Sequence, residues 1–207
     1  MLTGAALDDA LTKTVTTRPG SFQHFRVIPL TWAFDPLGRG RPIEDMRFNT
    51  RGGARVLYLG ENPTVCVEEA GAVGFPAAAT MCFPVDVRLE AILDLRDGST
   101  RKALGLKTSD IHLNFRGVNK MGGVADTQTL GERCAVVGTI DGISYPSVAH
   151  KGGVCLAVLE SNLRSGKTDL VVRFPLGPTG VPMSFPVPPG RKGPPPGLPP
   201  DVWDRLP

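Results

Sequence analysis

The chain has 207 residues, 41% of them hydrophobic and 21% charged, so about 70% of its unfolded surface can be buried around one sizeable core. Lysine and arginine number 23 against 20 acidic residues, and the scattered basic positions carry no stripe of interleaved aromatics, which argues against direct nucleic-acid binding. No apolar run approaches the ~20 residues of a membrane span, and residues 1–17 contain Asp8 and Asp9 and lack the basic start and apolar block of a signal peptide.

The four cysteines, at 66, 82, 134 and 155, form no CxxC pair, and a chain of this length needs no disulfide staples. They fit a reducing cytoplasm. His24, His112 and His150 are too widely spaced to complete a zinc site with them, so no metal is expected. Composition divides the chain into a lead segment (1–19), a body (20–174) and a tail (175–207). Twelve of the 20 prolines fall in that tail, where Pro186-Val187-Pro188-Pro189 and Pro194-Pro195-Pro196 oppose ladders and helices. The tail is expected to be extended over the surface or disordered, with Trp203 as a docking residue.

Within the body, residues 22–29 alternate as a strand, which places Arg26 on the same side as His24 and Ile28. Gly38-Arg39-Gly40 is no phosphate loop, because it lacks both the GK[ST] ending and the GxGxxG spacing. Arg47 follows in Met46-Arg47-Phe48-Asn49, just before a glycine turn. Either guanidinium could clamp a phosphate or a carboxylate through two parallel bonds, or be an ordinary surface arginine.

Residues 55–59 (RVLYL) read as a second strand. Asn62 is a good N-cap and Pro63 suits the first helical position, so a helix is expected from Asn62 to about Ala70. On it, Glu69 has Val65, Cys66, Ala72 and Val73 as its helical neighbours, all apolar, whereas Glu68 has a more polar set. Glu69 therefore lies along the buried stripe, as an arginine-paired structural carboxylate or as a catalytic one at a pocket edge. Residues 83–95 alternate again, and 154–159 and 170–174 are two more strands. Ser147 follows Pro146, which forces Tyr145 into an extended conformation and sets the serine at a strand end or turn. No GxSxG elbow surrounds it, so it reads as a ligand-binding or turn-ordering hydroxyl. Short strands with one or two helices in the body indicate a mixed α+β fold, mostly antiparallel, and no βαβ series.

The order Phe25-Arg26-Val27, Arg47-Phe48-Asn49, Val56-Leu57-Tyr58-Leu59, Glu69 and Tyr145-Pro146-Ser147 resembles the RES domain family, over about residues 22–165. Glu69 lies eleven residues past Tyr58, as in the family, so the spacing selects it over Glu68. The sequence departs from the family pattern at Phe25, where the family has tyrosine. It also departs at Glu44-Asp45-Met46-Arg47-Phe48-Asn49, where the common form is GGRWN.

The resemblance implies a fold similar to that of ADP-ribosyltransferase toxins and an enzyme that consumes NAD+ as a hydrolase, or as a phosphorylase with inorganic phosphate as co-substrate. It implies a toxin neutralised by an Xre-type antitoxin, as a hetero-oligomer or with a homodimeric toxin. Arg26, Arg47, Tyr58, Asn49, Glu69 and Ser147 would line the NAD+ cleft. Arg26 and Arg47 would hold the phosphates, and Tyr58 would stack on the nicotinamide or bond its ribose. Glu69 would accept from a ribose hydroxyl or activate the attacking group. Ser147 would orient Arg26 or contact the nicotinamide amide. Transfer of ADP-ribose to a protein, a non-catalytic module that recruits a partner through the tail, and a secreted effector are the competing readings.

Overall fold

Period-two alternation of apolar residues organises the chain around one strongly curved sheet. A computed structural model describes residues 1–14, 16–29, 44–72, 80–164, 167–174 and 183–186. The strands are β1 (Thr16–Pro29), β2 (Val56–Gly60), β3 (Thr80–Asp94), β4 (Gly142–Pro146), β5 (Val154–Leu159), β6 (Asp169–Phe174) and β7 (Met183–Pro186). The helices are α1 (Gly4–Thr14), α2 (Pro63–Ala72), α3 (Gly98–Ala103), α4 (Thr108–His112), α5 (Phe115–Lys120) and α6 (Asp126–Val137).

Seven strands join in the order β1-β2-β5-β4-β3-β6-β7. β1 also pairs along its length with β3, from Thr16 opposite Ile92 to Pro29 opposite Thr80. The first five strands thus close into a ring. Its weakest seam is β1 to β2, with the single register pair Phe25 and Gly60. All described pairings are antiparallel except β3 with β4, which gives the mixed, mostly antiparallel α+β architecture.

The pleat sorts side chains into two cores. Leu57, Leu59, Leu156 and Val158 pack inside the ring against Phe83, Val85, Val87 and Leu89 of β3. The alternate residues of β4 and β5, namely Ile143, Tyr145, Cys155, Ala157 and Leu159, face a helical layer that supplies Leu7, Leu11, Leu104, Ile111 and Leu130. Arg26 stands opposite Phe83 in the β1–β3 ladder, on the ring side with Ile28. A Cβ at Gly60 would stand 2.8 Å from the Cys66 backbone nitrogen, so only glycine lets α2 lie this close to the end of β2.

The expected strands at 22–29, 55–59, 83–95, 154–159 and 170–174 correspond to β1, β2, β3, β5 and β6. β1 begins six residues earlier, at Thr16, and β4 goes beyond the expectation. The expectation of one or two helices in the body is corrected: α2 through α6 are five. α3, α4 and α5 span only five or six residues, too few for helical periodicity to register. The lead segment forms α1, which buries Leu7 and Leu11 and is tied to α6 by an Arg133–Asp8 ion pair. Within the proline-rich stretch, Met183–Pro186 pairs with β6 at the end of the strand order, a position that tolerates proline. Gly38-Arg39-Gly40 and Trp203 lie outside the described residues.

Candidate active site

The end of the sheet formed by the last residues of β2 and β4 and the first of β5 gathers the candidate residues. α2 starts there, with the Asn62 side chain accepting a hydrogen bond from the Val65 backbone N–H at 2.9 Å, the expected N-cap. This sets Glu69 on the second turn, half-buried, while Glu68 is exposed. Glu69 meets no arginine among its described partners. Its Oε1 instead accepts three bonds from the turn after β4: from Ser147 Oγ at 2.5 Å, Val148 N at 2.7 Å and Ala149 N at 3.1 Å. Ser147 Oγ also accepts from His150 N at 2.9 Å, so the serine caps its own turn and bonds the glutamate at once. His150 Nδ1 lies 2.9 Å from Glu68 Oε2, a second tie between this turn and α2. Among the described residues no donor reaches Glu69 Oε2.

Arg47 sits in a short turn closed by the Met46–Asn49 bridge. Its guanidinium donates to the Ile111 carbonyl and, at 3.4 Å, to the Leu113 carbonyl, and it lies over the Phe115 ring, 5.5 Å from the centroid. Tyr58 anchors the same turn. Its hydroxyl accepts from Phe48 N at 2.8 Å and donates to Asn49 Oδ1 at 2.9 Å. Asn49 is 3% exposed, and its amide donates back to the Glu44 carbonyl at 3.1 Å. Tyr58 and Asn49 therefore have their polar groups committed to the protein itself. Arg26 joins them through a 3.2 Å bond from Nη1 to the Tyr58 carbonyl.

Tyr145 and Cys155 pair across β4 and β5 and are buried in the core next to the Arg47 turn. Phe48 meets the Tyr145 ring edge to face, with centroids 4.9 Å apart. Burial pushes the Tyr58 and Tyr145 hydroxyls well above the usual tyrosine range, so both stay protonated hydrogen-bonding groups. Burial, and after it the charge of Glu69, pushes the Cys155 thiol up to about 12. The charges of Glu69 and Arg47 both act on Tyr145 and Cys155, so an anion and a cation share the surroundings of one buried pair. Such a site can hold a ligand bearing both an anionic group and a hydroxyl or cationic centre. Among the described residues no cluster of His, Cys, Asp and Glu could hold a metal ion, and no helix is long and apolar enough to cross a membrane.

Arg47, Asn49, Tyr58, Glu69 and Ser147 thus share one locale, with Arg26 connected from the ring side. Gln128 and Glu132 of α6, which hold the Arg47 turn, were not expected. Their only sequence signal is that they stand four residues apart on one helical face.

A family model described as the RES domain matches residues 23–178. Among solved structures, a chain of the M. tuberculosis MbcT–MbcA toxin–antitoxin complex is similar, with a TM-score of 0.64 at 21% identity, over 98% of this chain and 97% of that one. No curated protein matches.

Proposed function

Because the chain belongs to the RES domain family, we propose that it is the toxin of a toxin–antitoxin pair and that it cleaves NAD+ at the bond between nicotinamide and ribose. The observation that carries this reading is Glu69: a half-buried carboxylate with Oε1 locked by three donors from the 147–149 turn and no donor on Oε2 among the described residues. The nicotinamide of NAD+ is already cationic, so it departs as a neutral molecule and requires no general acid, unlike an ordinary glycosidic leaving group. As the carbon–nitrogen bond breaks, its electron pair goes to nicotinamide and positive charge builds on the ribose. The Glu69 carboxylate stabilises that charge. Water or phosphate then forms the new carbon–oxygen bond, and with water the released proton passes to Glu69 or to solvent. The products are nicotinamide and ADP-ribose, or nicotinamide and ADP-ribose phosphate.

Arg47 holds the pyrophosphate of the dinucleotide, and Arg26 supports the same frame from the ring side. Tyr58 and Asn49 act through Arg47 as positioning residues, because their polar atoms are already engaged. Similarity to a chain of a toxin–antitoxin complex supports an antitoxin protein as partner.

The test is nicotinamide release from NAD+ by the purified chain, with and without phosphate. Glu69→Gln keeps the shape of the side chain and loses its charge, and should lower turnover on the order of 10²-fold, as for other preorganised electrostatic groups. Phosphate dependence separates phosphorolysis from hydrolysis. No release by folded protein under either condition overturns the reading, and label transferred from NAD+ to a protein would replace it with protein ADP-ribosylation.

A further inference from the structure

We propose that one face of α6, made by Gln128, Gly131 and Glu132, is the template that positions Arg47 for its ligand; this rests on the reading of Arg47 as a substrate contact. The three residues follow an i, i+3, i+4 spacing and so share a face. Gln128 is fully buried. Its amide nitrogen faces the Met46 carbonyl at 3.0 Å, the Asn49 carbonyl at 3.3 Å and Asn119 Oδ1 at 3.1 Å. Its oxygen accepts from Ala125 N and Asn119 Nδ2, each at 2.9 Å. One turn on, Glu132 Oε1 accepts from Thr50 N at 2.9 Å and Thr50 Oγ1 at 3.0 Å, and Oε2 accepts from Ala54 N at 2.8 Å. On this same face Gly131 has no side chain. A Cβ on Gly131 would stand 1.9 Å from the Phe48 carbonyl oxygen.

The backbone on both sides of Arg47 is therefore bound to a single rigid helix, and Phe48 N is held from the opposite side by Tyr58. Apolar packing alone would bury this turn without fixing its register. A buried amide and a carboxylate aimed at named backbone groups fix it, and such support keeps a ligand-binding side chain close to its working geometry. With the backbone set, the Arg47 side chain leaves toward the Ile111 and Leu113 carbonyls and the Phe115 ring. These direct the guanidinium without neutralising it.

The experiment is a double-mutant cycle on the purified full chain, combining Glu132→Gln with Arg47→Ala and reading kcat and KM for NAD+. Glu132→Gln should lower kcat/KM on the order of 10-fold or more, since a displacement of about 1 Å at a reacting site costs that much. In the Arg47→Ala background the same substitution should change it less than about twofold, because residues acting through one another are not additive. Equal losses in both backgrounds overturn the proposal, since that is what general destabilisation produces. Thr50→Val removes the hydroxyl bond from the loop side and should act in the same direction. It replaces Glu132→Gln in the cycle if that variant does not fold. Amide hydrogen exchange provides a readout besides activity: exchange at residues 46–54 should accelerate in either variant while that of α2 does not, and unchanged exchange at 46–54 overturns the proposal. If the wild-type chain releases no nicotinamide, the reading of the site fails, and exchange still decides whether α6 sets the Arg47 turn.

Discussion

The Tyr58 hydroxyl spends its one donor proton inside the protein, and this makes its role testable apart from catalysis. It accepts from Phe48 N and donates to Asn49 Oδ1. Tyr58→Phe leaves both partners buried and unpaired, which should destabilise the fold by about 1–3 kcal/mol, read by urea denaturation. Activity should fall through a raised KM, because Arg47 is what loosens. A fall in kcat with KM unchanged would instead place the hydroxyl on the reacting sugar. His24 gives the pH dependence. Burial is the main cause that holds its imidazole below the ordinary value, against an upward pull from Glu61 and with a smaller downward push from Arg96. The unfolded chain then binds this proton at a pH where the native chain does not. Stability due to neutral His24 is fully present above about pH 6.5 and is lost as the pH falls below it toward the lowered native value. The melting temperature should fall as the pH is lowered from 7.5 to 5, and His24→Gln should flatten that slope. An unchanged slope in the variant would assign the dependence to other groups.

At the level of elements, α2 and α6 show what a sequence displays and what it hides. α2 is legible because its signals are local. Asn62 caps it, Pro63 starts it, and the apolar neighbours of Glu69 mark the buried face. Asn62→Ala should therefore cost about 1 kcal/mol, measured by urea denaturation, and should loosen the bonds from the 147–149 turn to Glu69. α6 is illegible for a tertiary reason. Asp126-Thr127-Gln128-Thr129 and Gly131-Glu132-Arg133 look like a solvated surface, yet Gln128 is fully buried and Glu132 binds a loop some 80 residues away in sequence. Nothing local distinguishes a buried amide whose partners are backbone groups elsewhere from an exposed one. The same limit applies to Glu69. The helical face and the eleven-residue spacing from Tyr58 both select it, but its bonds to the turn after β4 arise only once the sheet is assembled.

For the molecule as a whole, the closure of β1 on β3 and the sharing of β5 between both cores make the two cores mechanically dependent. Residues 154–159 of β5 send Leu156 and Val158 into the ring and Cys155, Ala157 and Leu159 into the helical layer, so the layer cannot peel off without exposing the back of the sheet. The four free thiols report on this directly. Cys82 is exposed on β3, Cys66 is buried between α2 and β1, and Cys134 on α6 and Cys155 on β5 belong to the core beneath the helices. Burial is the main cause that raises the Cys134 and Cys155 thiols to about 12 each, so neither reacts as a thiolate while the protein is folded. With a charged disulfide reagent at neutral pH, Cys82 should react at once. Cys134 and Cys155 should react at one common rate that rises with urea along the global unfolding curve. If Cys134 reacted well before Cys155, α6 would open as a separate unit, the Arg47 turn would lose its template without global unfolding, and the protein would carry a locally unfolded, ligand-free state. A common rate means instead that the site stays assembled for as long as the sheet does.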